Sequence, residues 1–275
     1  MEAKNKFKAL SFFVVLPATL LGVYTMNYFH VSKSIWITNV VVALLGIVIG
    51  FISFRLKTNI RPLNSPLAIA IPLLLLLLTF LSEGATNVHR WISVGGLTFN
   101  VGTIVSPILL ILIYGLQNIK LSIFVAAFVT ILFFIQPDAS QVTAFSIAAS
   151  LLLINKIEDK IIKALIILTT FLCLVFTWYN LDTLPAVSYV ENIIQMARDI
   201  NVPLMICSIL ALCLLPLPFF TVYSKKEKLI ALSLGIYFSL SLLSTFVGNF
   251  PVIFMGYGIS PMLGYFIGLI WLLNR

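Results

Sequence analysis

Charged residues are scarce in this sequence: Asp, Glu, Lys and Arg make up 9% of its 275 residues, whereas hydrophobic residues make up 61%. Soluble domains usually contain about 25% charged residues. The mean hydropathy of +1.12 is correspondingly high. This composition excludes an ordinary water-soluble globular protein and indicates an integral membrane protein.

Cysteine is also rare, and the sequence contains no phosphate-binding loop of a nucleotide site. Cys173, Cys207 and Cys213 lie inside apolar runs without C-x-x-C spacing, which argues against a disulfide framework or a zinc site. We expect these three thiols to pack as small core residues. No glycine-rich loop ends in Lys-Ser or Lys-Thr, so ATP-driven transport by this chain alone is not expected.

The net charge of +8 could suggest a nucleic-acid-binding protein. Such a protein needs its cations on one face of a folded domain. Here the cations stand in short polar segments between apolar runs. We therefore expect no nucleic-acid partner and expect membrane lipid to surround the chain.

The apolar runs predict transmembrane helices, because about 20 apolar residues in a helix cross the hydrocarbon core of a bilayer. The predicted fold class is all-α, a polytopic membrane protein that forms a single transmembrane domain over 1–275. Its ten spans are expected near 9–28, 35–54, 66–82, 101–118, 121–136, 139–155, 161–178, 202–222, 229–248 and 252–273. The first run is interpreted as a retained signal anchor because no small-residue cleavage site follows it.

The distribution of cations predicts the orientation of these spans. With a cytoplasmic N-terminus, only Lys33, Arg90 and Arg198 lie outside, and the other fourteen of the 17 Lys and Arg residues lie inside. This excess is what the positive-inside rule requires. We therefore expect a multi-pass protein of a bacterial cytoplasmic membrane with both termini cytoplasmic, and with its longest loops, 83–100 and 179–201, outside.

Three outer segments carry motifs, which occur in this order: Gly84-Ala85-Thr86-Asn87-Val88-His89-Arg90-Trp91-Ile92 with Gly95-Gly96-Leu97-Thr98-Phe99; Gln136-Pro137-Asp138; and Phe254-Met255-Gly256-Tyr257-Gly258-Ile259-Ser260. They resemble the G-A-x-R-W-I, Q-P-D and P-F-x-S-Y-G-G motifs of the SEDS family, the shape, elongation, division and sporulation proteins that include FtsW, RodA and SpoVE. The resemblance extends over most of the chain.

The sequence also departs from the family pattern at positions that matter. Thr103 and Ser106 stand in the fourth span where the family has an acid and a base. The loop after the seventh span is short, and Val190 aligns with the family aspartate that is thought to act as general base, next to Glu191.

The resemblance implies a role in peptidoglycan assembly, cell shape or division. It implies an undecaprenyl-linked precursor as substrate at the outer membrane face, a transpeptidase (penicillin-binding protein) as partner, and a divalent metal as cofactor; the residues themselves identify no cofactor and no metal ligands. The candidate catalytic residues are Asp138, Glu191 and Asp182. The candidate substrate-binding residues are Arg90, Trp91, Tyr257, Gly258 and Ser260.

Each candidate also has an ordinary interpretation. Trp91 with Arg90 is equally typical of an interfacial anchor beside a loop cation. Asp138 and Asp182 also suit solvated turns. Glu191 falls on the polar side of a predicted amphipathic helix over 187–200.

Three functions therefore remain open. The first is a shortened, degenerate glycosyltransferase, and the second is a non-catalytic protein that binds the precursor or a partner. The third is a small secondary transporter or flippase, for which the sequence has few buried ionisable residues to form a coupling relay.

The orientation can be tested by labelling with a membrane-impermeant thiol reagent in intact cells. In a variant without Cys173, Cys207 and Cys213, we predict that a cysteine at Arg198 is labelled. Cysteines at Lys160 and Lys226 should react only after the cells are permeabilised. Labelling of the last two positions in intact cells would contradict the orientation.

Overall fold

A computed structural model of the protein describes residues 8–56, 66–82, 84, 88–182 and 184–275. Helices make up most of this part of the chain. They are α1 (Leu16–Tyr28), α2 (Lys33–Arg55), α3 (Pro66–Leu78), α4 (Val101–Gly115), α5 (Ile119–Ile135), α6 (Ala139–Lys156), α7 (Lys160–Tyr179), α8 (Ile193–Ile200), α9 (Val202–Leu214), α10 (Leu217–Thr221), α11 (Lys228–Ser244) and α12 (Ile259–Leu273). Short 3-10 turns adjoin three of them: Ser11–Val15 precedes α1, Thr79–Leu81 follows α3 and Lys225–Glu227 precedes α11.

Many of these helices have the length and composition of membrane spans. Within the described residues, five stretches are long and apolar enough to cross a bilayer: Lys8–Tyr28, Lys33–Arg55, Lys160–Tyr179, Val202–Thr221 and Lys225–Ser244. Shorter apolar helices cover Leu67–Leu81, Val101–Gly115, Ile119–Ile135 and Ile259–Leu273. These stretches coincide with predicted spans, and α6 coincides with the predicted span 139–155. The all-α, polytopic fold class is thereby confirmed.

Asparagine and aspartate residues fix where several helices begin. Their side-chain oxygens accept hydrogen bonds from backbone N–H groups of the first turn, which would otherwise lack a partner. The residues that cap α4, α5, α6, α7 and α9 in this way are Asn100, Asn118, Asp138, Asp159 and Asn201. These caps explain why the predicted boundaries of the corresponding spans lie close to the observed ones.

Two predicted helices begin later in the chain than expected. The last predicted span starts at 252, whereas α12 starts at Ile259 after a series of turns. One of these turns places Phe254 at a φ of 65°. Likewise, the amphipathic segment expected over 187–200 is helical only from Ile193. Its predicted sidedness is observed, since Ile193, Ile194, Met196 and Ala197 are buried while Arg198 and Asp199 are exposed.

The cysteines are a correction to the sequence analysis. Cys207 and Cys213 are exposed on α9, and Cys173 is partly exposed on α7. In a membrane-spanning helix, a small apolar side chain can face lipid as readily as protein, so apolar surroundings in the sequence did not indicate burial.

A β-hairpin, which the sequence analysis did not predict, lies between α3 and α4. Its strands β1 (Trp91–Val94) and β2 (Leu97–Asn100) pair antiparallel, with Trp91 opposite Asn100 and Ser93 opposite Thr98. Gly95 and Gly96 form the turn with φ angles of 59° and 81°. Two consecutive positive φ angles are typical of the tight turn that suits a two-residue hairpin, and glycine adopts them without a Cβ clash.

The chain forms two compact units. The first contains the described residues of Met1–Ile60, Pro185–Glu227 and Leu242–Arg275, and it includes α1, α2, α8, α9, α10 and α12. Its segments approach one another closely at glycines of α1 and α2. A Cβ on Gly22 would lie 2.2 Å from the backbone oxygen of Met255, and one on Gly46 would lie 2.1 Å from the Phe266 ring.

A single buried asparagine holds the turns before α12 in this first unit. Asn39 on α2 is 1% exposed. Its Nδ2 donates to the Gly256 carbonyl at 2.8 Å, and its Oδ1 accepts from the Gly258 N–H at 3.4 Å. One side chain thus binds the backbone on both sides of Tyr257. Because both contacts are to main chain, the segment is fixed independently of the side chains it carries.

The second unit contains the described residues of Arg61–Leu184 and Lys228–Ser241. It includes the hairpin, the helices α3 to α7 and the first part of α11. At the end of α6, Lys156 Nζ donates to the carbonyls of Ile113 and Leu116 at 2.6 and 2.8 Å. A cation at this place satisfies carbonyls that the end of α4 leaves without helical partners.

The role of Asn39 predicts a local effect on backbone dynamics. In Asn39→Leu the Gly258 amide loses its acceptor, and a hydrogen bond of this kind contributes about 0.5–1.5 kcal/mol. We expect hydrogen exchange in 252–260 to become about three- to tenfold faster, measured by mass spectrometry. Thr38→Val is the matched control, because it removes only a hydroxyl that bonds one turn back in the same helix. Equal exchange in the two variants would contradict the role of Asn39.

Candidate functional site

The second unit brings Arg90, Trp91, Asp138 and Asp182 together, four of the residues predicted for the site. Arg90 is the centre of the group and is only 5% exposed. Its Nε donates to the Gln136 carbonyl at 3.2 Å, and its Nη2 donates to the Pro137 carbonyl and to the Asp182 carboxylate. The guanidinium therefore joins the start of the hairpin, the turn between α5 and α6, and the segment after α7.

Asp138 has two structural tasks. Its Oδ1 accepts from the Gln141 N–H at 3.1 Å and so caps α6, while its Oδ2 lies 3.4 Å from Arg90 Nε in an ion pair. The residue is 3% exposed. Both carboxylate oxygens are therefore engaged, one by a backbone donor and the other by a cation.

Asp182 is held in the same way but less deeply. Its Oδ2 pairs with Arg90, and its Oδ1 accepts from the Leu184 N–H at 3.0 Å. Its side chain is 11% exposed. With both carboxylates ionised, the three groups carry a formal charge of −1. The positive charge of the guanidinium is thus fully compensated.

Trp91 follows Arg90 at the start of β1. The Arg90 Cζ lies over the indole at 5.9 Å from the ring centroid, a distance at which a guanidinium and an aromatic ring attract each other. The Arg90 carbonyl also accepts from the Val101 N–H at 3.1 Å, at the start of α4. The position of the ring is thus set by the hairpin and by the ion cluster together.

Two groups of neutral polar contacts adjoin the ion cluster, and the sequence analysis did not identify them. Gln136 Nε2 donates to Thr79 Oγ1 at 2.7 Å. The Oε1 of Gln141 accepts from Ser106 Oγ at 3.0 Å and from the Tyr237 hydroxyl at 2.9 Å. Ser106 is one of the residues that replace the family's acid and base, and here it bonds to an uncharged amide.

The remaining predicted residues, Glu191, Tyr257, Gly258 and Ser260, lie in the first unit. The backbone of the turn at 187–191 pairs with the turns before α12: Val252 N–H donates to the Val190 carbonyl at 3.2 Å, and Tyr257 N–H donates to the Tyr189 carbonyl at 3.0 Å. Because a Cβ on Gly256 would lie 2.2 Å from the Val190 oxygen, only glycine permits this approach.

Glu191 is directed to its own turn. Its Oε2 accepts from the Val187 N–H at 2.7 Å. Ser260 is buried in the first turn of α12, and Gly258 precedes that helix with an extended φ of 173°. The expectation that Glu191 lies on the solvated face of a helix is not met, because the helix begins after it.

The described carboxylates do not fit a divalent-metal site. Among these residues there is no group of three or more His, Cys, Asp or Glu that could hold a metal ion. Asp138 and Asp182 approach one another through Arg90, so a metal would have to displace the guanidinium and two backbone donors. The residues Ala85, Thr86 and Asn87 of the first motif lie outside the described part of the chain, as do Glu83 and Thr183.

The described residues form a polytopic, α-helical membrane fold with a hairpin between α3 and α4. Solved structures share this fold. The rod shape-determining protein RodA of Thermus thermophilus superposes with a TM-score of 0.67, and an aspartate-to-alanine variant of it with 0.68. Both are 16% identical to this chain, cover 95% of it and are covered over 94% of their own length. The fold is therefore SEDS-like. No family model and no curated protein sequence matches the chain.

The two aspartates of the cluster are expected to differ in importance. Asp138→Ala removes a helix cap, which contributes about 1 kcal/mol, as well as an ion-pair partner. Asp182→Ala removes the ion-pair partner and a contact within a loop. We predict that Asp138→Ala lowers the melting temperature in detergent more than Asp182→Ala does. It should also impair growth or cell shape more strongly.

Asp199→Ala is the control for this comparison, since that carboxylate is exposed on α8. Its melting temperature should match that of the wild type. Equal effects of Asp138→Ala and Asp182→Ala would contradict the prediction that Asp138 matters more than Asp182.

Proposed function

We propose that this protein acts in bacterial cell-wall assembly, in cell shape or division, and that it binds an undecaprenyl-linked precursor of peptidoglycan at the outer face of the cytoplasmic membrane. The observation that carries the proposal is the fold shared with a rod shape-determining protein over 95% of the chain. The motifs around Arg90, Asp138 and Tyr257 add to it, since they occur in the order of the SEDS motifs.

Within this proposal, binding is favoured over catalysis. Transfer of a glycosyl group needs a base that accepts the proton of the attacking hydroxyl, and a group with that task must be able to reach the hydroxyl. Asp138 and Asp182 have both oxygens engaged, with Arg90 as one partner of each. Val190 has no carboxylate at the position that the resemblance aligns with the family base, and Glu191 accepts from its own turn.

The proposed task is therefore to hold the precursor or a partner protein, with a transpeptidase as the expected partner. A degenerate glycosyltransferase is the alternative, in which one of the three carboxylates leaves its present contacts when the precursor binds. The fixed hairpin supports the binding role, because a preorganised surface loses less conformational entropy when it meets a ligand.

A secondary transporter receives less support from the structure. Proton- or ion-coupled transport usually uses ionisable residues inside the spans. The buried charged residues of the described chain are Arg90, Asp138 and Glu227. Arg90 lies in a loop, Asp138 caps α6, and Glu227 stands near the start of the stretch Lys225–Ser244, so none of the three lies in the middle of a span.

The proposal predicts binding without efficient polymerisation. The purified chain in lipid nanodiscs should bind undecaprenyl-pyrophosphoryl disaccharide and form little or no glycan. A general base typically contributes about 10²–10⁴-fold to a rate, so its absence should leave slow turnover at most. Native mass spectrometry measures the binding, and gel separation of labelled glycan measures the polymer, with and without a candidate transpeptidase.

The matched control is a triple variant, Asp138→Ala with Asp182→Ala and Glu191→Ala. A second triple variant with Asn, Asn and Gln preserves the shapes of the side chains. If the wild type alone forms glycan polymer efficiently and neither triple variant forms any, the protein is an enzyme. Absence of precursor binding by the wild type would refute the proposal.

A further inference from the structure

A cleft of about 680 Å³ lies between the end of α3 and the hairpin in the second unit. Its described lining consists of Leu78, Leu81, Ser82, Gly84, Trp91, Ile92, Ser93 and Thr98. The volume falls in the range of about 300–1,000 Å³ that is typical of small-molecule sites. The cleft adjoins the ion cluster through Trp91 but contains none of its charged groups among these residues.

The register of the hairpin explains why three of these side chains share one face. Side chains alternate along a strand, so Trp91 and Ser93 point to the same side of β1. Thr98 lies directly opposite Ser93 on β2, and the two hydroxyls are 3.2 Å apart. The hairpin thus presents an indole and two hydroxyl groups on one surface.

The chemistry of this surface fits a sugar better than a phosphate. All eight described lining residues are uncharged, and the nearby guanidinium of Arg90 is already bound to Asp138, Asp182 and two carbonyls. An aromatic ring offers a flat apolar surface to the C–H face of a sugar, and serine and threonine hydroxyls both donate and accept hydrogen bonds.

The other wall of the cleft is aliphatic. Leu78 and Leu81 stand at the end of an apolar helix, and both are exposed. In the proposed membrane setting, exposed apolar side chains at the end of a span are available to an acyl or prenyl chain. The cleft therefore combines a polar, aromatic wall with an apolar one, which matches an amphipathic ligand that carries its polar group on a lipid chain.

We infer that the cleft between α3 and the hairpin is a saccharide subsite, in which Trp91 stacks against a sugar ring of a lipid-linked glycan and Ser93 and Thr98 bind its hydroxyl groups. This inference rests on the proposed function and specifies where the precursor's sugar is held. It gives Arg90 a different task from direct ligand binding: the guanidinium positions the Trp91 ring.

The test compares two probes on the full-length protein in nanodiscs by native mass spectrometry. One is undecaprenyl-pyrophosphoryl disaccharide, and the other is undecaprenyl phosphate, which has the lipid chain and no sugar. For Trp91→Ala we expect roughly a three- to tenfold weaker affinity for the first probe, since an aromatic contact contributes about 0.5–1.5 kcal/mol. Affinity for the second probe should be unchanged.

Matched variants separate stacking from folding. Trp91→Phe keeps an aromatic ring and should retain most of the affinity for the disaccharide probe. The double variant Ser93→Ala with Thr98→Ala should weaken it selectively. Val94→Ala is the control, since Val94 is exposed on the same hairpin and does not line the cleft. Melting temperatures identify any variant that is misfolded.

The outcomes distinguish this inference from the proposed function. If the wild type binds the disaccharide probe and Trp91→Ala binds it equally well, the saccharide subsite is wrong while the proposed function stands. Equal weakening of both probes would assign the cleft to the lipid chain and also overturn the inference. If the wild type fails to bind the disaccharide probe, both are overturned.

Discussion

A guanidinium group that is buried must have its charge compensated nearby, and the second unit is organised around this requirement at Arg90. Two carboxylates and two backbone carbonyls meet it from segments that are far apart in the sequence. Removing one partner of a buried ion pair typically costs about 3–5 kcal/mol, because the other charge is left behind. The hairpin start, the cap of α6 and the segment after α7 are therefore mutually dependent.

The same interactions limit the chemistry of these residues. A carboxylate whose two oxygens are bound by a backbone N–H and by a buried cation is well suited to fix a surface and poorly placed to reach a substrate hydroxyl. Asp138 and Asp182, two of the candidate catalytic residues, make structural contacts here, and their part in a reaction stays a prediction. In the proposed function, recognition passes to neutral neighbours. These are the Trp91 ring, which the Arg90 guanidinium contacts, and the Ser93 and Thr98 hydroxyls, which are placed by the register of the hairpin.

The sequence predicted the features that depend on local composition. The long apolar runs predicted where the helices lie. Asn or Asp caps at the helix starts explain why the predicted and observed boundaries agree closely. The partners of Arg90 were not predictable, because Gln136, Asp138 and Asp182 come from other parts of the chain and no local pattern pairs them. The roles of Asn39 and Gln141 were not predicted either, because their partners also come from distant parts of the chain. A lone amide within an apolar run is nevertheless a sign of a buried hydrogen bond. The turn Gly95-Gly96 was a readable sign of the hairpin.

The order of residues in the chain has a consequence for biogenesis. Arg90 is synthesised before both of its carboxylate partners. In the predicted orientation its loop is translocated against the membrane potential, at a cost of about 2.3 kcal/mol per elementary charge for each 100 mV. Asp138 becomes available after α5 is made, and Asp182 only after α7. In that orientation the cation acquires its counter-ions stepwise during insertion, and the ion cluster is complete only after the segment that follows α7 has been synthesised.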